Sequence, residues 1–157
     1  AASEANLNEL LESTLVILRS TIKDDVQLVV DLAPSVSAIS CQPGKLNQVF
    51  MNLITNAAQA TKAGEADPGE REVQIRTRVV VQKDREWVQV AIQDNGVGMT
   101  EEVKAQIFDP FFTTKEVGEG TGLGLSIVKG ILDDHGATLE IESTPGRGST
   151  FLISFPT

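Results

Sequence analysis

The 157-residue sequence predicts a two-layer α/β sandwich, a mixed and mostly antiparallel sheet with helices on one face. Three observations predict it. Apolar residues recur at helical spacing in three separate stretches, around residues 7–22, 46–60 and 123–132. Residues 72–94 and 137–155 alternate instead with the period of two that marks a half-buried strand. These strand stretches come in adjacent pairs, and strands joined by a short turn are antiparallel.

Taken in order, Leu7, Leu10, Leu11, Leu15, Leu18 and Ile22 open an amphipathic helix that runs to about Lys23, with Ser3 as its expected cap. Val26 to Leu32 is rich in β-branched residues and reads as a strand; Val36 to Cys41 is a second, short extended piece set off by Pro34. Pro43-Gly44 begins a longer helix that ends near Lys62, and residues 63–71, mostly Gly, Glu, Asp and Pro, form a solvated loop. Glu72 to Gln82 and Glu86 to Asp94 are two strands around Lys83-Asp84-Arg85, most simply a hairpin. Asn95 to Gly98 is a turn, Thr100 to Ile107 a short helix capped by Thr100, and Phe108 to Thr121 irregular. A helix follows Gly122 and ends near Gly136. Ala137 to Glu142 and Ser149 to Phe155 complete the sheet, with Phe151, Ile153 and Phe155 on one face.

Composition sets the bounds. A chain of this length buries about 70% of the surface its unfolded form exposes, enough for one domain with a real core. The net charge of -9 argues against a nucleic-acid partner, whose phosphate backbone calls for a basic face, but leaves room for one nucleotide with its metal. The single cysteine, Cys41, has no partner for an internal disulfide, and no apolar run approaches the length that crosses a bilayer. A reducing, cytoplasmic setting is expected for this domain, within a longer parent protein that the membrane could anchor.

Four stretches carry candidate chemistry. On the helix after Gly44, the residues Lys45, Gln48, Asn52, Asn56 and Gln59 form a narrow polar stripe beside an apolar face of Leu46, Val49, Phe50, Leu53, Ala57 and Ala60. Asparagine is a poor interior helix former, so two of them four residues apart suggest a ligand, and amide oxygens suit Mg²⁺ shared with phosphates; a solvated face is the alternative. In the strand Val88, Val90, Ile92, the apolar parity runs on to Asp94, a carboxylate placed where it needs donors such as an adenine amino group. Gly96 and Gly98 let the backbone turn and approach a flat ring closely; a turn in which Asp94 bonds its own backbone is the alternative. Phe108 to Lys115 puts three of the six phenylalanines into five residues of a nominal loop, either a lid hinged at Gly118 and Gly120 or a small satellite core, with Lys115 able to swing toward phosphates. Finally Gly118 to Lys129 carries glycines at 118, 120, 122 and 124 and runs into a helix, a cradle for anions or a flexible connector.

An Asn-bearing helix, an Asp-x-Gly-x-Gly turn, an aromatic lid and a glycine-rich helix start, in that order, resemble the catalytic ATP-binding domain of sensor histidine kinases, in the superfamily shared with gyrase and the heat-shock ATPases. The likeness covers the chain from the first helix to Pro156 and implies a Bergerat-type sandwich that binds ATP and Mg²⁺. Asn52-Leu53-Ile54-Thr55-Asn56-Ala57 is similar to the family's N box, Asp94 with Gly96, Gly98 and Met99 to its G1 box, Phe108 to Lys115 to its F box, and Gly120 to Leu125 to its G2 box. The binding set so implied is Asn52, Asn56, Gln59, Ala60, Asp94, Gly96, Gly98, Met99, Phe108, Lys115, Gly120, Thr121, Gly122, Leu123, Gly124, Leu125 and Thr150. In it Asn52 and Asn56 serve the chemical step, Asn56 holds Mg²⁺, Met99 lies on the base, and Thr150 reaches the adenine side. Gln59 stands where many members have a cation on the phosphates, which weakens that contact here.

Hydrolysing relatives carry a glutamate base where this chain has Asn52, and an amide takes no proton from water. The resemblance therefore implies transfer of the γ-phosphoryl group to a histidine on a separate, N-terminal helical dimerisation domain, and onward to a response regulator. His135, the only histidine, sits at a helix end, where it reads as a structural residue whose cationic form complements the helix dipole. A serine-directed kinase of the anti-sigma type and a degenerate nucleotide-binding module are the competing readings.

Overall fold

The structure is a computed structural model that describes residues 2–22, 25–109 and 124–157. The expectations for Pro110 to Leu123, including Lys115, Gly120, Thr121, Gly122 and Leu123, lie outside the described residues. In chain order the elements are β1 (Ser3–Ala5), α1 (Leu7–Thr21), β2 (Gln27–Asp31), β3 (Ile39–Cys41), α2 (Pro43–Ala63), a 3₁₀ turn at Pro68–Glu70, β4 (Glu72–Gln82), β5 (Arg85–Asp94), α3 (Glu101–Gln106), α4 (Gly124–Asp134), β6 (Thr138–Thr144) and β7 (Gly148–Pro156).

The main sheet has the order β2-β4-β5-β7-β6. Its one parallel pair is β2 with β4, separated in sequence by α2; the other three pairings are antiparallel. This is the mixed sheet that the sequence predicts. One face is apolar, with Val73 and Ile75 on β4, Val88, Val90 and Ile92 on β5, and Ile153 and Phe155 on β7, all buried. Against it pack Leu7, Leu11, Leu15 and Leu18 of α1, Leu46, Val49, Phe50 and Leu53 of α2, and Val128, Ile131 and Leu132 of α4. Phe50 meets Phe155 edge to face, with ring centroids 6.3 Å apart, a geometry that adds to the area the two rings bury. The opposite face is polar. Arg76 bonds Gln93, Arg78 bonds Gln89 and Gln89 bonds Ser154, so the side chains satisfy one another across strands.

Three local expectations are corrected. Asn6, not Ser3, caps α1, its Oδ1 accepting from the Glu9 N–H at 3.2 Å, while Ser3–Ala5 pairs with β3. The apolar periodicity starts only at Leu7, so the cap is the last polar residue before it. The β4–β5 hairpin turns on Lys83 and Asp84 alone, both left-handed with φ of 53° and 62°, a two-residue turn whose twist matches the strands it joins. His135 accepts from the Gln42 N–H through Nε2 at 3.0 Å and meets the Ile131 carbonyl through Nδ1 at 2.7 Å. A backbone N–H only donates, so Nε2 carries the lone pair and Nδ1 the proton. The ring thus ties the end of α4 to the start of α2 through hydrogen bonds, a fastening the helix-end reading did not foresee.

The end of β5 meets the rest of the fold through glycine. Gly148 has φ of 104°, and a Cβ there would lie 2.0 Å from the Asp94 carbonyl oxygen. Gly148→Ala is expected to lose about 1–3 kcal/mol. Gly130→Ala, at an exposed helical position with open space around it, should gain up to about 1 kcal/mol. Urea unfolding followed through Trp87, the only tryptophan, reads both.

Candidate functional site

Parity puts Asp94 on the helix side of the sheet, and there it is 5% exposed. Its Oδ1 accepts from the Gly96 N–H at 2.8 Å, and a second backbone bond comes from Ser149. Burial pushes the carboxyl above the ordinary aspartate range, and these two donors pull it part of the way back. A carboxylate offers about four acceptor positions, so two backbone donors leave capacity for a ligand. The self-bonded turn and the ligand-binding reading are therefore compatible.

The turn that follows is held on three sides. Asn95 accepts from the Glu72 N–H at 3.0 Å and donates to the Glu70 carbonyl at 2.7 Å. Val97 donates to the Ala60 carbonyl of α2 at 3.1 Å, and its own carbonyl accepts from Gly146 at 2.8 Å. Gly96 lies so close to α2 that a Cβ would sit 2.4 Å from the Ala60 backbone, and one on Gly98, where φ is 70°, would sit 2.1 Å from the Thr144 carbonyl oxygen. These two glycines are thus required by backbone packing within the protein itself. Ala60 enters the site as a carbonyl that anchors this turn.

On α2, Asn56 Nδ2 donates to Asn52 Oδ1 at 2.9 Å, joining the two amides that the sequence singles out. Both line an open groove with Gly44, Asn47, Gln48, Met51, Thr55 and Gln59. Lys45 is exposed outside that lining, and Gln59 is at its exposed end. The start of α4 closes on the same place, because a Cβ on Gly124 would lie 2.7 Å from Asn52 Nδ2. Leu125 packs against the core, and Phe108 is half-buried just after α3, whose cap is Thr100, as expected. The Asn52 contact with α4 and the Ala60 contact with the Asp94 turn are eight residue steps apart on the helix, about 12 Å of rise.

The expectation for Thr150 is corrected. Thr150 pairs with Gln93 and Glu142 on the helix-free face, whereas Ser149 pairs with Asp94 and with Ser143. Asp94, Ser149 and Ser143 therefore form one row across β5, β7 and β6 on the Asp94 side. Ser149 Oγ lies 2.7 Å from Ser143 Oγ, which also accepts from the Met99 N–H at 2.8 Å. Sequence reasoning missed Ser143 and Ser149. Register, once counted back from Phe155 and Ile153, assigns Ser149 to the buried face, so the signal was present.

A family model described as histidine kinase-, DNA gyrase B-, and HSP90-like ATPase matches residues 41–157. The chain belongs to that family. Within it, its relatives are sensor kinases: it is 33% identical to Sensor kinase CckA of Brucella abortus (strain 2308) over 96% of this chain and 16% of that protein. It is 32% identical to Sporulation kinase E of Bacillus subtilis (strain 168) over 98% of this chain and 19% of that protein. The chain thus spans less than a fifth of the length of these two relatives. Among solved structures, the nucleotide-free catalytic domain of histidine kinase ThkA superposes with a TM-score of 0.81 at 30% identity, covering 99% of this chain and 95% of that one. ThkA in complex with the response regulator TrrA matches with a TM-score of 0.75 at 30% identity, over 99% of this chain and 41% of that one. This histidine-kinase-type ATP-binding domain has no helix, among the described residues, long and apolar enough to cross a membrane.

Because Asp94 holds its proton more tightly folded than unfolded, its contribution to stability is full below its unfolded pKa and is lost as pH rises through its folded one. Asp94→Asn should remove that slope, so the stability of wild type relative to the variant falls from acid to neutral pH in urea titrations. The same variant should bind an ATP analogue about tenfold more weakly, on the order of 1.4 kcal/mol, by calorimetry at neutral pH.

Proposed function

We propose that this domain binds Mg-ATP with its base at Asp94 and its phosphates over Asn52 and Asn56, and transfers the γ-phosphoryl group to a histidine carried by a separate helical dimerisation domain of the same protein. The observation that carries the reading is the amide-rich groove beside the start of α4. None of the described residues lining it is a carboxylate or an imidazole, so none of these draws a proton from water or from a serine hydroxyl. An imidazole nucleophile brings its own lone pair and needs no such base. This favours histidine as acceptor over both hydrolysis and a serine-directed reaction.

In this reading each residue has a limited task. Asp94 accepts a hydrogen bond from the adenine amino group, and Met99, fixed through its N–H, lies against the base. Gly124, at the end of the glycine-rich stretch, receives the phosphates, with Lys115 as a cation for them. The Asn56 amide donates through Nδ2 to Asn52 Oδ1, which holds the two amides together in the groove. The donor set fits magnesium, which takes hard oxygens and is held mainly by substrate phosphates. No group of three or more His, Cys, Asp or Glu residues stands ready to hold a metal by itself among the described residues. Bound there, the ion would neutralise phosphate charge; the chain's own contribution is position.

The acceptor lies outside this chain. Both nitrogens of His135 are engaged within the fold, which supports its structural role. ThkA is known in complex with a response regulator, and by likeness such a protein receives the phosphoryl group here. The 157 residues then form one domain of a longer kinase acting at the cytoplasmic side.

Radiolabelled ATP, incubated with this domain and its parent's helical domain, should yield label on the latter that survives base and is lost in acid. Label with the opposite stability marks serine, and no label marks a binding module. Asn56→Ala should remove the magnesium dependence of nucleotide binding: chelator weakens ATP binding in wild type and leaves the variant's affinity within about twofold.

A further inference from the structure

We propose that Ser143 is a positioning residue for the base end of the site, acting through Met99 and Ser149. The inference rests on the nucleotide reading above and adds to it a residue outside the stretches that carry the family resemblance. Register places Ser143 at the end of a row of three side chains, Asp94, Ser149 and Ser143, one on each of three neighbouring strands. The first two are buried and Ser143 is half-buried.

The hydroxyl proton inventory gives Ser143 its role. A serine has one proton to donate and two lone pairs. Met99 N–H occupies one lone pair of Ser143 at 2.8 Å, and this bond holds the backbone of the residue that lies on the base. The single Ser143 proton then goes either to the Gly148 carbonyl at 3.2 Å or to Ser149 Oγ at 2.7 Å. In the first case Ser149 must spend its own proton on Ser143 and faces the site as an acceptor. In the second, Ser149 is free to donate. Ser143 thereby sets both the height of Met99 and the hydrogen-bonding sense of the hydroxyl beside Asp94, without touching nucleotide.

Alanine at 143 leaves a half-buried N–H that water can reach, so the fold should survive while the base end loosens. Threonine is suited to a strand and restores the hydroxyl. Competition titrations of ATP and ITP, which differ at the group that would meet Asp94, test this on wild type, Ser143→Ala and Ser143→Thr. We expect alanine to weaken ATP about fivefold and to shrink the ATP-to-ITP affinity ratio, as the loss of one hydrogen bond implies. Threonine should hold both within about twofold of wild type. Alanine with a wild-type ratio, whether or not both affinities fall together, overturns the inference and leaves the nucleotide reading standing. A wild-type protein that does not distinguish ATP from ITP overturns the base-recognition reading and the Ser143 role with it.

Discussion

The fold turns on one uncomfortable group, the carboxylate of Asp94 at the end of a central strand. Burying it is unfavourable, as its upward pKa shift shows, and the fold offsets the penalty with backbone donors from both sides, Gly96 ahead and Ser149 across the strand pair. Those donors are in place only if the chain after Asp94 bends sharply and lies against other backbone. Hence Gly96 sits on α2, Gly98 on the end of β6 and Gly148 on Asp94 itself, each too close for a side chain. What offsets the burial of this carboxylate is main chain packed on main chain.

Helix α2 converts this local constraint into a site. Its C-terminal part accepts Val97 through Ala60, and its middle carries Asn52 and Asn56 against Gly124 of α4. A helix interior is stiff, so the distance between the two ends is set by residue count. The ring of His135 adds a further fastening at the start of α2, joining its N-cap residue Gln42 to the end of α4. The two helices that flank the amide groove are thus tied at more than one level, and neither slides along the other without breaking a hydrogen bond.

Much of this was legible in the sequence because it follows from period and parity. The alternation Val88, Val90, Ile92 points at Asp94, and the stripe of amides on α2 falls out of 3.6 residues per turn. The Ser3 cap failed because short edge pairing between Ser3–Ala5 and Ile39–Cys41 is a long-range contact with no local signature. Thr150 failed for a different reason: position in a motif was read without counting strand register, and a one-residue step exchanges the faces of a sheet. The glycines were found correctly, yet their necessity lay in α2 and β6 rather than in a ring. Ile127, 43% exposed, shows the limit of helical spacing, which gives the width of a face but not its centre.

On the proposed reading, a groove whose described lining holds no carboxylate or imidazole has a consequence for control. An ATPase pocket spends its substrate whenever water is present, so regulation must act on the pocket. In that reading the groove holds its nucleotide unspent until a nucleophile is brought to it, so regulation is able to act on approach alone. On the proposed reading the energy barrier is lowered by placement and charge neutralisation, both of which are lost when the acceptor domain is a few ångströms away. Separating donor and acceptor onto different domains then makes their relative motion the switch, and it explains why the amide pair must be held so rigidly. The fixed half of a two-part reaction centre has to present the same geometry each time the mobile half arrives.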